Sequence, residues 1–159
     1  VTPYVATDER TTRKYPLILT TGRILSQYNV GAQTRRTKNM TWHDEDTVEI
    51  HPHDAEQRGI EQGDWVGLKS RAGDTVLRAN ITERVQPGVI YTTIHHPESG
   101  ANVVTTDNSD WATNCPEFKV TAVQAYKVAQ LSDWQQEFEE FTKEQLELLH
   151  KAKASAQVV

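Results

Sequence analysis

Three short runs rich in β-branched and aromatic residues follow one another between residues 64 and 94. They are 64–70, 75–82 and 89–94. The separators Arg71-Ala-Gly-Asp and Gln86-Pro-Gly hold the residues that reverse a chain at little conformational cost. Short strands joined by close turns expose unpaired edges unless the sheet closes on itself. The spacing therefore predicts a compact β-barrel.

Other segments extend this mainly β pattern. An apolar run from Tyr15 to Thr21 ends at Gly22 and predicts a buried strand, and 47–50 and 118–126 predict two more. A short helix is expected from Pro52 to Arg58, because proline favours a helix start and Gly59 follows the end.

The two ends of the chain differ from the middle. We expect an extended lead-in at 1–14, a barrel domain at 15–128 and a helical tail at 129–159. Ser132 and Gln135 form a capping-box pattern, and Thr142 with Gln145 repeats it, so one kinked helix and two short helices both remain open. Large apolar residues recur at helical spacing in the tail, and we expect them to pack on the barrel: Trp134, Phe138, Phe141 and Leu148.

Composition excludes several classes of function. The net charge of -5 argues against a nucleic-acid binder. No apolar run approaches the ~18 residues of a membrane helix, so no membrane insertion is expected. The single cysteine, Cys115, excludes an intramolecular disulfide and a cysteine-only metal site. His95 and His96 are adjacent and would point to opposite faces of a strand, which disfavours a shared metal. Because the chain begins at Val1 rather than Met, we expect a piece of a longer protein.

Basic residues are concentrated near the N-terminus. Seven of them, with no acid between them, lie from Arg10 to Lys38. Such a block forms either an anion-binding surface or a solvated basic face. Arg23 follows Gly22 at a strand end, where backbone N–H groups and a guanidinium suit a phosphate, and Arg35 and Arg36 add two more guanidiniums.

A long polar segment from 95 to 117 contains three asparagines, Asn102, Asn108 and Asn114. An asparagine side chain offers a donor and an acceptor together and can read a heterocycle edge, although in loops it also serves as a turn residue. Together with the basic block, these residues indicate a binding module for a phosphorylated heterocyclic cofactor. The chain contains no complete set of catalytic residues.

The same segments carry a family resemblance. The matching motifs run from Pro16 to Gln124 and include LTTGRILSQYNVG, VEIHPHDA, GDWVGLKSRAG, PGVIY, TDN and CPEFK. In this order they resemble the C-terminal domain of the molybdopterin-dinucleotide oxidoreductases, and most closely the molybdenum or tungsten formate dehydrogenases.

The resemblance implies a double-psi β-barrel of the aspartate-decarboxylase-like type that binds bis(molybdopterin guanine dinucleotide). It implies a first cofactor loop through Thr21, Gly22, Arg23 and Leu25, with Gln27 and Asn29 just beyond it. Gln27 stands where several relatives have histidine. Later contacts are implied at Asn102, Asn108, Phe118 and Lys119.

The resemblance also implies a parent enzyme that oxidises formate to carbon dioxide in the cytoplasm. The tail resembles that of NAD-linked forms. Its partners would be the other domains of the catalytic subunit and iron–sulfur or flavin electron-transfer subunits. The family's metal-ligating residue lies in earlier domains, so we expect this chain alone to be inactive. Two alternatives remain open: the same domain of another member such as a nitrate reductase, and a stand-alone nucleotide- or protein-binding barrel.

Overall fold

The computed structural model describes residues 3–156 of the chain. Six strands form a closed barrel in the order β1-β5-β2-β4-β3-β6. Their bounds are β1 Leu17–Gly22, β2 Thr47–Ile50, β3 Trp65–Lys69, β4 Asp74–Ile81, β5 Val89–Thr93 and β6 Thr121–Val128. The barrel predicted from the turn spacing is confirmed, and each strand lies within three residues of its predicted start.

Two of the strand pairs are parallel, β1 with β5 and β2 with β4, while the other four are antiparallel. This closed order with two parallel pairs is that of a double-psi β-barrel, as the resemblance implied. Gly22 pairs with Thr93, so β1 and β5 end side by side. The segments 23–46, 70–73 and 94–120 consequently all leave one end of the barrel, which we call the loop end.

Alternating side chains fill the barrel interior. In β1, for example, Leu17 and Leu19 are buried while Ile18 between them is partly exposed. The other strands contribute the rest of the core, which includes Val48, Ile50, Val66, Leu68, Leu77, Ile90 and Val123. Burying such side chains contributes about 25 cal/mol per Å² of apolar area, which makes this core the main source of stability.

Helix α1, Pro52–Glu56, lies at the opposite end from the loops and begins at the predicted proline. It is two residues shorter than predicted. Its buried Asp54 accepts a hydrogen bond from the backbone N–H of Gly88 at 2.6 Å and lies 3.6 Å from the Arg58 guanidinium. These contacts tie the helix to the β4–β5 connection.

The tail forms one helix, α2, from Asp133 to Ala156. The indole N–H of Trp134 donates to the carbonyl of Asp74 at 2.9 Å, and Phe138 is half-buried. Phe141 and Leu148 are 58% and 57% exposed, so the prediction that the whole apolar stripe packs on the barrel was wrong for these two. The reason is length: 24 residues span about 36 Å, and only the first turns lie against the barrel. Within residues 3–156, neither this helix nor any other combines the length and the apolar character needed to cross a membrane.

Residues 3–14 form no helix or strand, but they are attached to the barrel. Glu9 is buried, lies 3.0 Å from the Arg71 guanidinium and accepts a hydrogen bond from the backbone N–H of Ala122 at 2.8 Å. A polar segment without periodicity therefore contributes one buried carboxylate to the wall of the domain.

Candidate functional site

The candidate site lies at the carboxyl ends of the parallel strands β1 and β5. Thr21, the penultimate residue of β1, is buried and its hydroxyl donates to the carbonyl of Phe118 at 2.8 Å. The Lys119 ammonium donates in turn to the carbonyl of Thr21. The structure thus brings the first predicted loop and the later Phe118–Lys119 contact together, and the Lys119 ammonium is engaged in holding them.

Gly22 is required by packing. A Cβ atom at this position would lie 2.3 Å from the Tyr91 hydroxyl oxygen, so no larger residue fits while the ring stays in place. Desolvation and the nearby Glu49 raise the pKa of Tyr91, which keeps its hydroxyl protonated. That hydroxyl donates to the carbonyl of Arg23 at 3.4 Å, and so the ring fixes the start of the loop.

His95 holds the first predicted cofactor loop in shape. Its ring is completely buried, and its Nε2 accepts a hydrogen bond from the backbone N–H of Ile24 at 3.0 Å. The proton therefore resides on Nδ1, which donates to the carbonyl of Asn29. Asn29 has a φ of 49°, in the left-handed region that asparagine tolerates better than most residues. The buried Gln27 accepts at Oε1 from the Thr34 hydroxyl at 2.5 Å, so its amide shapes the same loop.

Cationic and apolar side chains project from this fixed loop. Arg23 and Arg36 are exposed, and within residues 3–156 neither guanidinium has an ion-pair partner. Arg35 is half-buried, with its guanidinium 3.5 Å from Glu98. Leu25 is fully exposed at the loop tip. The site therefore offers two uncompensated positive charges beside a rigid backbone.

A groove of about 400 Å³ continues from Arg23 along the outer face of β2, β4 and β5. Two other arginines in it have carboxylate neighbours: Arg84 lies 3.1 Å from Glu49, and Arg78 lies 3.8 Å from Glu45. Arg23 is thus the arginine of this groove whose charge is left for a ligand.

The structure places the predicted asparagines elsewhere on the loop end. Asn102 is exposed, and its carbonyl accepts from the Thr105 hydroxyl at 2.9 Å. Asn108 lines a different cavity, of about 430 Å³, together with Glu9 and Arg71. In the part of the chain that the structure describes, no hydrogen bond joins either asparagine to residues 21–29. Their predicted cofactor contacts stay predictions.

Sequence reasoning missed the group that fixes the base of the loop end, the buried carboxylate of Asp46. It accepts from the backbone N–H of His95 at 3.2 Å, from the backbone N–H of His96 at 2.9 Å, and from the hydroxyls of Ser99 and Thr93. The His96 Nδ1 lies 3.1 Å from the same carboxylate. Burial alone would raise the pKa of Asp46, but the hydrogen bonds from His96, Ser99 and Thr93 outweigh it and hold the pKa at about 2. Asp46 is the last of three consecutive acidic residues, 44–46, and no local signal distinguishes it from the other two.

Large apolar side chains stand exposed around these loops, at Tyr28, Val30, Trp42, Trp111 and Phe118. Single exposed apolar residues are common on proteins, and these five lie on loops of the same end as the candidate site.

The sequence of the barrel identifies its family. Residues 17–122 match the molydopterin dinucleotide binding domain. The chain belongs to this family. The matched range begins at the first residue of β1 and ends at the second residue of β6, so it covers five of the six strands and all the loops of the loop end.

Individual relatives carry this molydopterin dinucleotide binding domain within much longer chains. The chain is 40% identical over 126 residues to F420-dependent formate dehydrogenase 1 subunit alpha of Methanococcus maripaludis, covering 79% of this chain and 19% of that one. It is 35% identical over 117 residues to the assimilatory nitrate reductase catalytic subunit of Bacillus subtilis, covering 72% and 16%. The chain spans about a fifth of the length of the curated relatives it matches.

Among solved structures, the chain is similar to acetylene hydratase from Pelobacter acetylenicus, with a TM-score of 0.60 and 18% identity over 72% of this chain and 18% of that chain. At this identity the similarity concerns the fold alone.

Proposed function

We propose that this domain binds a molybdopterin guanine dinucleotide within the catalytic subunit of a formate dehydrogenase. The observation that carries the proposal is the pair of uncompensated guanidiniums, Arg23 and Arg36, beside a loop fixed by His95. Guanidinium groups pair with phosphate oxygens through short, charge-assisted hydrogen bonds. A dinucleotide carries such phosphates, and the domain family is described by its binding of one.

The residues present suit that cofactor. Its phosphates would be held by Arg23 and Arg36, and also by Arg35, whose guanidinium lies 3.5 Å from Glu98. Its apolar faces would be covered by the exposed Leu25 and Phe118. Gly22, Gln27, Asn29 and Lys119 would act by fixing the loop backbone. When bound, the cofactor and its molybdenum or tungsten supply the redox chemistry that converts formate to carbon dioxide. The two-cofactor form, bis(molybdopterin guanine dinucleotide), is part of this proposal and follows from the family resemblance.

Formate is the substrate we favour for the parent enzyme. Identity is 40–41% to three formate dehydrogenase alpha subunits and 35% to the assimilatory nitrate reductase. The formate dehydrogenase relatives are F420-dependent by name, whereas the tail resembled NAD-linked forms. We therefore propose formate as the substrate and assign no electron acceptor.

We further propose that the remaining domains of the same subunit, and iron–sulfur or flavin electron-transfer subunits, pack around this domain in a cytoplasmic enzyme. The exposed aromatic residues of the loop end and the uncovered part of α2 support such neighbours. The relatives are named as alpha subunits, which indicates assemblies of more than one subunit.

The test uses the whole catalytic subunit with Arg23→Ala, and Arg13→Ala as the control that removes the same charge from an exposed site in the lead-in. Guanine nucleotide released by acid from each purified subunit measures cofactor occupancy. Because a hydrogen bond to a charged group contributes about 1.5–3 kcal/mol, affinity should fall roughly 10- to 150-fold in the Arg23 variant. Equal nucleotide content in the two variants would refute the assignment.

The isolated chain provides a second test. It should fold and should fail to reduce a dye with formate, since Cys115, its only cysteine, lies outside the family's metal-ligand motif. Calorimetry with guanosine diphosphate should show binding that weakens as salt rises, because exposed charges are screened over ~8 Å at physiological ionic strength. Formate-dependent dye reduction by the isolated chain would contradict the proposal that this domain binds the cofactor while other domains supply the metal ligand.

A further inference from the structure

A second cavity, of about 260 Å³, lies where the first turns of α2 meet β4 and the segment after β5. It is away from the cofactor loop, and none of residues 21–36 lines it. Part of its wall is apolar. The apolar part includes Trp65, Val76 and Leu131, and the polar part includes His96 and five carboxylates.

The wall also contains an imidazole nitrogen without a partner. His96 is only 6% exposed, and its Nδ1 lies 3.1 Å from the carboxylate of Asp46, so Nδ1 is the nitrogen that donates to that carboxylate. In the imidazole form of the ring, Nε2 is then the acceptor. It is buried and has no hydrogen-bond partner among residues 3–156. A buried polar atom left unsatisfied costs about 1–3 kcal/mol, which favours an occupant that donates a hydrogen bond.

The charge of the wall defines that donor further. Five carboxylates line the cavity, and no lysine or arginine does. Three of the carboxylates each have a cation nearby: Arg78 lies 3.8 Å from Glu45, Arg35 3.5 Å from Glu98 and Lys143 3.8 Å from Glu139. Asp44 and Asp46 have no such neighbour among the described lysines and arginines. The cavity is therefore negative overall and suits a cationic donor.

An organic cation suits this cavity better than a metal ion does. In the described part of the chain, no three His, Cys, Asp or Glu side chains are placed to hold a metal together. The apolar wall of Trp65, Val76 and Leu131 would contact an aliphatic stem. A volume of about 260 Å³ is below the roughly 300–1,000 Å³ of sites for drug-sized ligands, so the cavity favours a smaller group such as one side chain.

We propose that this cavity receives one arginine or lysine side chain from another polypeptide segment, with its charged end donating to Nε2 of His96 and its stem against the apolar wall. The polypeptide source rests on the proposed function, since the relatives carry about four fifths of their length outside this domain. The cavity would then fix how the junction of α2 and the barrel docks against its neighbour.

The experiment labels the six histidines of the chain with ¹⁵N and follows the Nε2 resonance of His96, assigned by its loss in His96→Gln. The probe is N-acetyl-arginine-N-methylamide. Its comparison compound is the citrulline analogue, which has the same shape and no charge. The arginine compound should shift the Nε2 signal as a new hydrogen bond forms, and it should bind at least about threefold more tightly than citrulline.

A matched pair of variants tests the charge of the cavity wall without changing His96. Glu139→Gln removes a lining charge, whereas Glu140→Gln removes the same charge from the next residue of α2, outside the cavity. Binding should weaken about threefold to fivefold in the first variant and stay unchanged in the second. An unmoved Nε2 signal, equal binding of citrulline, or equal effects of the two variants would overturn the proposal. Guanine nucleotide content is measured separately, so a failure here leaves the cofactor proposal to its own test.

Discussion

Replacing Asp46 by asparagine should destabilise the whole loop end. The two carboxylate oxygens accept hydrogen bonds from the backbone of His95 and His96 and from the hydroxyls of Thr93 and Ser99. An asparagine side chain keeps only one acceptor oxygen. In place of the second carboxylate oxygen it has an NH₂ group, which cannot accept the hydrogen bonds that this oxygen receives. Each buried donor left unsatisfied costs about 1–3 kcal/mol, so the free energy of unfolding should fall by about 2–5 kcal/mol. For a chain of this size that is a decrease in Tm of roughly 5–15 °C.

The loss should also depend on pH, with a sign that follows from the carboxylate. The pKa of Asp46 is lowered from 3.8 to about 2 in the folded chain, so the ionised form stabilises the fold above the unfolded pKa. This contribution, about 2 kcal/mol near neutral pH, is lost as pH falls through the range from about 4 to about 2. Roughly half of it should already be gone at about pH 3. The asparagine variant lacks this titration, and its deficit relative to the wild type should narrow accordingly.

Urea unfolding followed by circular dichroism at about pH 6 and about pH 3 measures both effects. Asp44→Asn is the matched control, because Asp44 is exposed and accepts no hydrogen bond from the described residues. A deficit for Asp46→Asn below about 1 kcal/mol, or one that is equal at the two pH values, would refute the reasoning.

Two further substitutions test the packing at Gln135 and Gly22. Gln135→Ala should lower the Tm by several degrees, because the Gln135 amide forms two hydrogen bonds with the backbone of β4. The control Gln136→Ala, on the outer face of α2, should change the Tm little. Equal melting curves of the two variants in a thermal scan would contradict this. Gly22→Ala should lower the free energy of unfolding, measured in urea, by about 1–3 kcal/mol, because the new Cβ meets the Tyr91 ring. Adding Tyr91→Ala to this variant should recover part of the lost free energy. If nothing is recovered, the ring is not the cause.

Much of the barrel could be predicted from local pattern. β-Branched runs bounded by Gly, Pro and Asp determine where strands begin and end, and alternation in 17–22 determines which side chains enter the core. The order of the strands and their parallel pairs came only from the family resemblance, because pairing depends on contacts between distant residues.

At the start of helix α2, one local sequence pattern is compatible with two different sets of contacts. Ser132 and Gln135 were interpreted as a capping box, and the Ser132 hydroxyl does donate to the Gln135 amide oxygen at 2.8 Å. The same amide, however, pairs with both the N–H and the carbonyl of Val76, in the manner of a neighbouring strand. An apolar stripe likewise shows which face of a helix avoids water, but it does not show how far the barrel extends beneath that face, and Phe141 lies beyond it.

At the site, the sequence indicated the cations and the glycine but missed the groups that hold them. His95 acts through its buried ring on residues 71 and 66 positions away along the chain, and Asp46 acts on residues 47 to 53 positions away. No local spacing encodes such contacts. Gly22 also has a packing role that no local pattern indicated, since the Tyr91 ring occupies the space of its missing side chain.

The most direct test of the account is amide hydrogen exchange on the whole catalytic subunit, compared with and without its bound cofactor. We predict slower exchange in the cofactor-loaded subunit across residues 23–36 and around Phe118, where the loop end holds its uncompensated charges. Residues 82–88, at the opposite end of the barrel, serve as the internal control and should exchange equally in both forms. Unchanged exchange at 23–36, or protection confined to 82–88, would contradict the claim that the loop end binds the dinucleotide.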